Sequence, residues 1–213
     1  MELLWDNRSL LFEPVPLFFA EGYFENIFAH KNNKSVADTL THRRYAKLGE
    51  EITEKYPEHL TSNLGEFILH LKSKSDTLYL KFLNKYGDGV YSSFGIKDEK
   101  YLDKKGVYVY TLSNQPLYIG RCRDTFRKRI NQGYGKIHPK NCYIDGQATN
   151  CHLNALITQH REDIKFFVYV VEDNAVIAEM EKSLIARYNP PWNITLKSTR
   201  ALEGSYPVGG RSY

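Results

Sequence analysis

Apolar and polar residues alternate most clearly between residues 106 and 119, where the pattern predicts a β-hairpin. Valines alternate with Tyr108 and Tyr110, so the first strand has a valine face and a tyrosine face. A polar turn at 113–116 leads into a second strand that carries Tyr118. Pairing of the two strands is expected to bring Tyr108 and Tyr118 close together.

Elsewhere along the chain, the spacing of apolar residues predicts helices before the hairpin and both strand and helix after it. The predicted helices before the hairpin are 45–56, 61–72 and a third that begins at 78 and ends near 86–87. The predicted elements after it are a short basic helix at 124–132, a helical segment at 154–160, an inner strand at 164–171 and a helix at 175–188, capped by Asn174. The pattern therefore predicts an α+β fold with a small antiparallel three-stranded sheet flanked by helices.

The predicted domain boundaries follow changes in composition. Residues 1–100 are predicted to form an apolar arm and a mainly helical N-terminal region that serves DNA binding and dimerisation. This region ends at a glycine-rich and charged stretch. Residues 101–200 contain the sheet, with an insert at about 134–160, and residues 201–213 are predicted to be a flexible tail.

Charge and cysteine content narrow the class of protein. The net charge is only +4, but seven lysines and arginines and a single acid lie between residues 121 and 140, as expected of a surface that meets phosphate. Three cysteines without a CxxC pair argue against a disulfide framework. The chain has no secretory leader and no long apolar run, so a soluble, cytoplasmic protein is expected.

Glu181 is the most informative single residue, because Ile177, Leu184 and Tyr188 surround it at helical spacing. A carboxylate on the inward face of a helix needs a partner, which could be a metal ion or a nearby arginine. Both alternatives are open at this stage. The two hairpin tyrosines are equally open to a packing role, and the cysteines and histidines fit no common zinc finger.

The order of these pieces resembles the GIY-YIG nuclease superfamily. The sequence has GVY at 106–108, YIG at 118–120, an arginine on the next helix, a glutamate on a later helix and an asparagine after PPW. Glu181 precedes Asn193 by twelve residues, the spacing of the repair-nuclease branch. The insert at 134–160 resembles the type II restriction-endonuclease branch, which is the more specific prediction.

The resemblance implies a DNA endonuclease that hydrolyses phosphodiester bonds with one Mg²⁺ or Mn²⁺ ion per active site, held by Glu181. It assigns catalytic roles to Tyr108, Tyr118, Arg129, Tyr134, Glu181 and Asn193. Asn193 would orient either the core or the phosphate by hydrogen bonding. Arg129 would contact the phosphate, with Arg127 as the second choice. Many members have a histidine or tyrosine four residues after that arginine; here the position is Gly133, and Tyr134 is expected to substitute.

Double-stranded DNA is the expected partner, and a homodimer would match a palindromic site. The residues expected to contact DNA are Arg43, Arg44, Arg121, Arg123, Lys128, Lys140, Gln147, Thr149 and Asn150. For the last three, a solvated loop and helix cap is the plain alternative. Two other functional classes remain open: a repair or mobile-element nuclease, and a DNA-binding module whose catalytic set has decayed.

Overall fold

A computed structural model describes residues 1–194 and confirms an α+β fold. The strands are β1 Glu2–Trp5, β2 Arg8–Leu11, β3 Glu13–Pro14, β4 Phe18–Phe19, β5 Phe94–Gly95, β6 Gly106–Leu112, β7 Gln115–Cys122 and β8 Lys165–Val170. The α-helices are α1 Val36–Leu40, α2 Gly49–Lys55, α3 Leu64–Ser73, α4 Glu99–Leu102, α5 Ala148–Gln159 and α6 Asn174–Tyr188. A π-helix spans Arg127–Tyr134, and 3₁₀ turns cover Ile27–His30, Ala46–Leu48, Pro57–His59, Thr77–Lys81 and Pro139–Cys142.

The chain forms two compact units that are interleaved in sequence. The first unit contains residues 1–15, 104–123 and the described residues from 165 onward, and the second contains residues 16–103 and 124–164. The predicted division near residue 100 and the functions predicted for its two parts stay predictions. The predicted tail at 201–213 lies outside the described residues.

The central sheet of the first unit has four antiparallel strands in the order β3-β8-β6-β7. The prediction of three strands is therefore too small by one, because β3 comes from the N-terminal arm and adds to the outside of β8. β3 contains a proline, which suits an edge strand. Because it is only two residues long, it shows no alternation of apolar and polar residues from which a strand could be predicted. The arm also forms the β1–β2 hairpin, so residues 1–15 are not helical.

The predicted hairpin is confirmed as β6 and β7. Its turn is tighter than predicted, because Ser113 and Asn114 both have positive φ, of 48° and 63°. Two such residues form the two-residue turn whose twist matches that of paired strands. Gly106 approaches the next strand so closely that an added Cβ would lie 2.0 Å from the carbonyl oxygen of Tyr169.

The two faces of β6 differ as the alternation predicts. Val107 and Val109 pack with Ile177, Met180 and Leu184 of α6 in the core of the first unit. The tyrosines of β6 lie on the opposite face, where they contact Phe166 and Tyr118. The sheet is therefore buried on both sides along β6.

The second unit is built around its own core of helical and loop residues, which confirms the helical character predicted between residues 45 and 83. The element at Thr77–Lys81 is a 3₁₀ helix, and the helix predicted at 154–160 begins earlier, at Ala148. Gly133 does not end the basic helix, which continues to Tyr134 with wider π-type bonding. The cap of α6 is Asp173, whose carboxylate accepts from the Ala175 N–H at 2.7 Å, and not Asn174.

Candidate active site

Gly120 explains how the two motif tyrosines pack in the first unit. It lies opposite Tyr108 in the β6–β7 pairing, and an added Cβ would lie 2.4 Å from the Tyr108 hydroxyl oxygen and 2.7 Å from Cε1 of Tyr118. The Tyr108 phenol therefore lies directly over the backbone of the YIG motif. Only glycine leaves room for this arrangement.

The rings of Tyr108 and Tyr118 are stacked, with centroids 6.2 Å apart and an angle of 29° between their planes. This confirms the predicted proximity. Tyr110 lies directly across from Tyr118 and makes ring contacts with both. Tyr108 is 1% exposed and Tyr118 is 9% exposed, so packing accounts for much of their surface.

Glu181 lies on the inward side of α6, as predicted, and is 9% exposed. Its Oε2 atom lies 3.2 Å from Nε of Arg121, which follows Gly120 on β7. The arginine partner that the sequence left open is therefore present. Arg121, whose predicted contact with DNA stays a prediction, contacts the predicted metal ligand, and its side chain remains 36% exposed beside an open depression that Glu181 also lines.

The fit of a divalent ion to this site can be judged from its donors. Glu181 supplies the carboxylate that Mg²⁺ and Mn²⁺ prefer, and Mg²⁺ in phosphoryl sites is often held by one or two carboxylates, with waters and phosphate oxygens as the other ligands. Within residues 1–194 no group of three or more histidines, cysteines, aspartates or glutamates forms a preassembled metal site. The residues therefore fit an ion that arrives with its water and substrate ligands, and they do not fit a fully protein-coordinated one.

Asn193 uses its whole side-chain amide to hold β7. Its Oδ1 atom accepts from the Ile119 N–H at 3.0 Å, and its Nδ2 atom donates to the Ile119 carbonyl at 2.8 Å. The side chain is 4% exposed. Of the two roles expected for Asn193, orienting the core and contacting the phosphate, this geometry supports the first.

Arg129 and Tyr134 lie in the second unit, on the π-helix. The Arg129 guanidinium carbon lies 5.8 Å from the centre of the buried Tyr134 ring, at a cation–π distance. Arg127 instead forms a two-bond pair with Asp103, with Nε and Nη2 each 3.2 Å from a carboxylate oxygen. The catalytic roles predicted for these residues stay predictions.

The residues expected to contact DNA divide into two groups. Arg43, Arg123 and Thr149 are exposed, and Arg44 donates to the carbonyl of Ile144. Arg121 lies in the first unit beside Glu181. The remaining four, Lys128, Lys140, Gln147 and Asn150, line one concave surface in the second unit, together with residues that the sequence did not single out for this role. We call this surface the amide cleft; it is lined by Lys128, Gln132, Gly133, His138, Lys140, Asn141, Asp145, Gly146, Gln147 and Asn150.

No family model matches the chain, and no solved structure matches it. Over 105 residues the chain is 28% identical to UvrABC system protein C of Fusobacterium nucleatum subsp. nucleatum. The match covers 49% of this chain and 15% of that protein, so the chain spans far less than two thirds of this relative. The similarity agrees with the resemblance to GIY-YIG nucleases, and it does not support the restriction branch in particular. No helix among the described residues is long and apolar enough to cross a membrane.

Proposed function

We propose that this protein is a metal-dependent endonuclease that hydrolyses DNA phosphodiester bonds at a GIY-YIG-type site. The observation that carries the proposal is the Gly120–Arg121 segment of β7. On one face of the hairpin, Gly120 makes room for the paired phenols of Tyr108 and Tyr118; on the other, Arg121 meets Glu181. The similarity to UvrABC system protein C supports the same class.

In the proposed reaction, a water oxygen bonds to phosphorus, the P–O3′ bond breaks, and the 3′ oxygen takes up a proton. A divalent ion held by Glu181 would supply charge stabilisation at the phosphate. Tyr108, in the phenolate form that the charge of the divalent ion would favour, is the proposed acceptor of the water proton. Tyr118 positions the water or the phosphate, and Arg129 neutralises charge on the phosphate. Asn193 acts indirectly, because it fixes the strand that carries Tyr118.

The structure identifies Arg121 as the arginine partner of Glu181, in addition to its predicted contact with DNA. Its guanidinium has five N–H donors, and the contact with Glu181 uses Nε. We propose that Arg121 holds the Glu181 carboxylate in position and presents its remaining donors to the phosphate.

The test is cleavage of supercoiled plasmid, both intact and carrying damaged or branched sites, in Mg²⁺ or Mn²⁺, with EDTA as the blank; each variant is compared on the plasmid that the wild type cuts. Glu181→Ala and Glu181→Gln should abolish cleavage and leave DNA binding intact, because both remove the metal ligand. Glu172→Gln removes one carboxylate from an exposed position just before α6 and should cleave normally. A fully active Glu181→Ala protein would refute the metal assignment.

The same assay decides the finer class. The named relative favours the repair-type alternative, so nicks confined to damaged or branched DNA are the result we expect. Discrete fragments from intact plasmid would instead support the type II restriction enzyme, and a homodimer on a palindromic site would then be expected. Binding without cleavage of any substrate would indicate a decayed DNA-binding module, for which the glycine at 133, in place of a histidine or tyrosine, is the supporting observation.

A further inference from the structure

The amide cleft is a separate polar surface that lies wholly within the second unit. It has a volume of about 470 Å³, within the range of roughly 300–1,000 Å³ that small-molecule sites occupy. Four of its lining residues carry side-chain amides: Gln132, Asn141, Gln147 and Asn150. Its chemistry is therefore that of hydrogen bonding, and no step of the proposed hydrolysis uses it.

Local hydrogen bonds position three of these amide side chains but use only part of their donors and acceptors. Asn141 Oδ1 accepts from the His138 N–H at 2.9 Å, and His138 Nδ1 accepts from the Lys140 N–H at 3.2 Å. Asn150 Nδ2 donates to Gln147 Oε1 at 3.3 Å. Within residues 1–194, the donors on Asn141 and Gln147 and the Asn150 oxygen are left for a ligand. An amide that offers a donor and an acceptor side by side is the group that pairs with the edge of a nucleobase.

The charges around the cleft favour an anionic ligand. Lys128 and Lys140 line it, and Lys128 also forms an exposed ion pair with Asp124, with Nζ 2.7 Å from Oδ2. The one acidic lining residue, Asp145, is already engaged by the Tyr45 hydroxyl at 2.6 Å. Burial would raise the pKa of Asp145, but the hydrogen bond from Tyr45 and the charge of Lys31 outweigh it, so the pKa is lowered and the carboxylate stays ionised as an acceptor. The two lysines supply point charges of the kind that bind phosphate.

Gly133 keeps the cleft open. An added Cβ there would meet only the carbonyl oxygen of Lys128, at 3.3 Å. This is the position where the resemblance to GIY-YIG nucleases leads one to expect a histidine or tyrosine. The absence of a side chain therefore leaves space where a ring would otherwise stand.

We propose that the amide cleft binds one nucleotide of the DNA substrate after its base has left the helical stack. This rests on the proposed nuclease function and deepens it. A paired base shows only its edge in a groove, where protruding groups read it. A concave site ringed by amides can surround a base only when that base is extruded, and extrusion is easiest at a mismatched, damaged or unpaired nucleotide.

The test uses short duplexes with 2-aminopurine at successive positions, in EDTA, with the full chain. Because 2-aminopurine brightens on leaving the stack, we expect a several-fold fluorescence rise at one position, largest when that base is mismatched. Gly133→Leu fills the cleft and Gln147→Leu removes one reading group; both should lose the rise. Gln159→Leu, an exposed change at the far end of α5, is the matched control and should keep it.

The outcomes separate the two proposals. Bound duplexes that brighten at no position, or a Gly133→Leu protein that folds by circular dichroism and keeps the full signal, would overturn the cleft proposal while cleavage could still stand. Failure to bind or cut any DNA would overturn the nuclease function and the cleft proposal together.

Discussion

Replacing Gly120 with alanine tests whether the tyrosine pair depends on the glycine of the YIG motif. The new Cβ would lie 2.5 Å from Cζ of Tyr108. Because carbon atoms pack at about 3.5–4.0 Å, the phenol must retreat by about 1 Å. Tyr108 is 1% exposed and packed against Tyr110 and Phe166, so it has little room to move.

Two magnitudes follow from that displacement. Overpacking of this size in a core costs roughly 1–3 kcal/mol of unfolding free energy. A shift of about 1 Å in a positioned group can cost on the order of 100-fold in rate. Gly120→Ala should therefore fold, unfold at lower urea concentration than the wild type, and cleave about 100-fold more slowly.

Urea denaturation and single-turnover plasmid cleavage measure the two effects. Gly49→Ala is the matched control, because a Cβ at Gly49 meets nothing within 4 Å and the residue has helical φ, so stability and rate should both be preserved. If Gly120→Ala were as stable and as active as Gly49→Ala, the steric role of Gly120 would be refuted.

Three further changes test other parts of the molecule. Asn193→Ala leaves two buried backbone groups of β7 without their partner, at a cost of about 1–3 kcal/mol each, so it should lower the unfolding free energy by about 2–6 kcal/mol. Urea denaturation measures this free energy. A loss below about 1 kcal/mol would contradict the prediction. The hydrogen bond from Tyr56 lowers the pKa of Asp76, so the ionised Asp76 stabilises the fold above the ordinary carboxyl pKa, and this stabilisation is lost as pH falls through the lowered pKa. The melting temperatures of wild type and Asp76→Asn should therefore converge in acid. A constant difference between them from pH 7 to pH 3 would argue against this linkage. Arg129→Ala should abolish cleavage. Arg127→Ala breaks only an exposed ion pair, so it should keep activity and change the unfolding free energy by less than about 1 kcal/mol. If Arg127→Ala were inactive and Arg129→Ala active in the plasmid assay, the roles of the two arginines would be exchanged.

The spacing of apolar residues predicted those strands and helices whose pattern of buried and exposed side chains is contained within a single segment of the chain. The hairpin, the strand at Lys165–Val170 and the helix around Glu181 each carry a complete pattern within one segment. The pairing of Glu13–Pro14 with β8 could not be predicted this way, because it depends on contacts between residues more than 150 positions apart.

In the candidate active site, too, contacts between distant residues could not be predicted from the sequence. Residue type and spacing predicted an inward Glu181 with a partner, but they could not choose between a metal ion and an arginine. That choice depends on β7 packing against α6. The amide cleft could not be predicted for the same reason, because its lining residues come from separate segments, among them the end of the π-helix and the start of α5. In the sequence, Gly133 was visible only as a glycine where the resemblance leads one to expect a histidine or tyrosine.

The bond between Asn193 and Ile119 has a consequence for self-association. β7 is an outer strand of the sheet, and its outward groups are taken by the chain that follows α6: Trp192 donates to the Leu117 carbonyl, and Asn193 pairs with Ile119. An uncovered strand edge is a template on which another chain can add a strand. At the opposite edge, Pro14 lacks the N–H that such addition needs. Release of the Asn193 segment would thus expose the edge of β7 and promote aggregation, so this asparagine also keeps the folded chains apart.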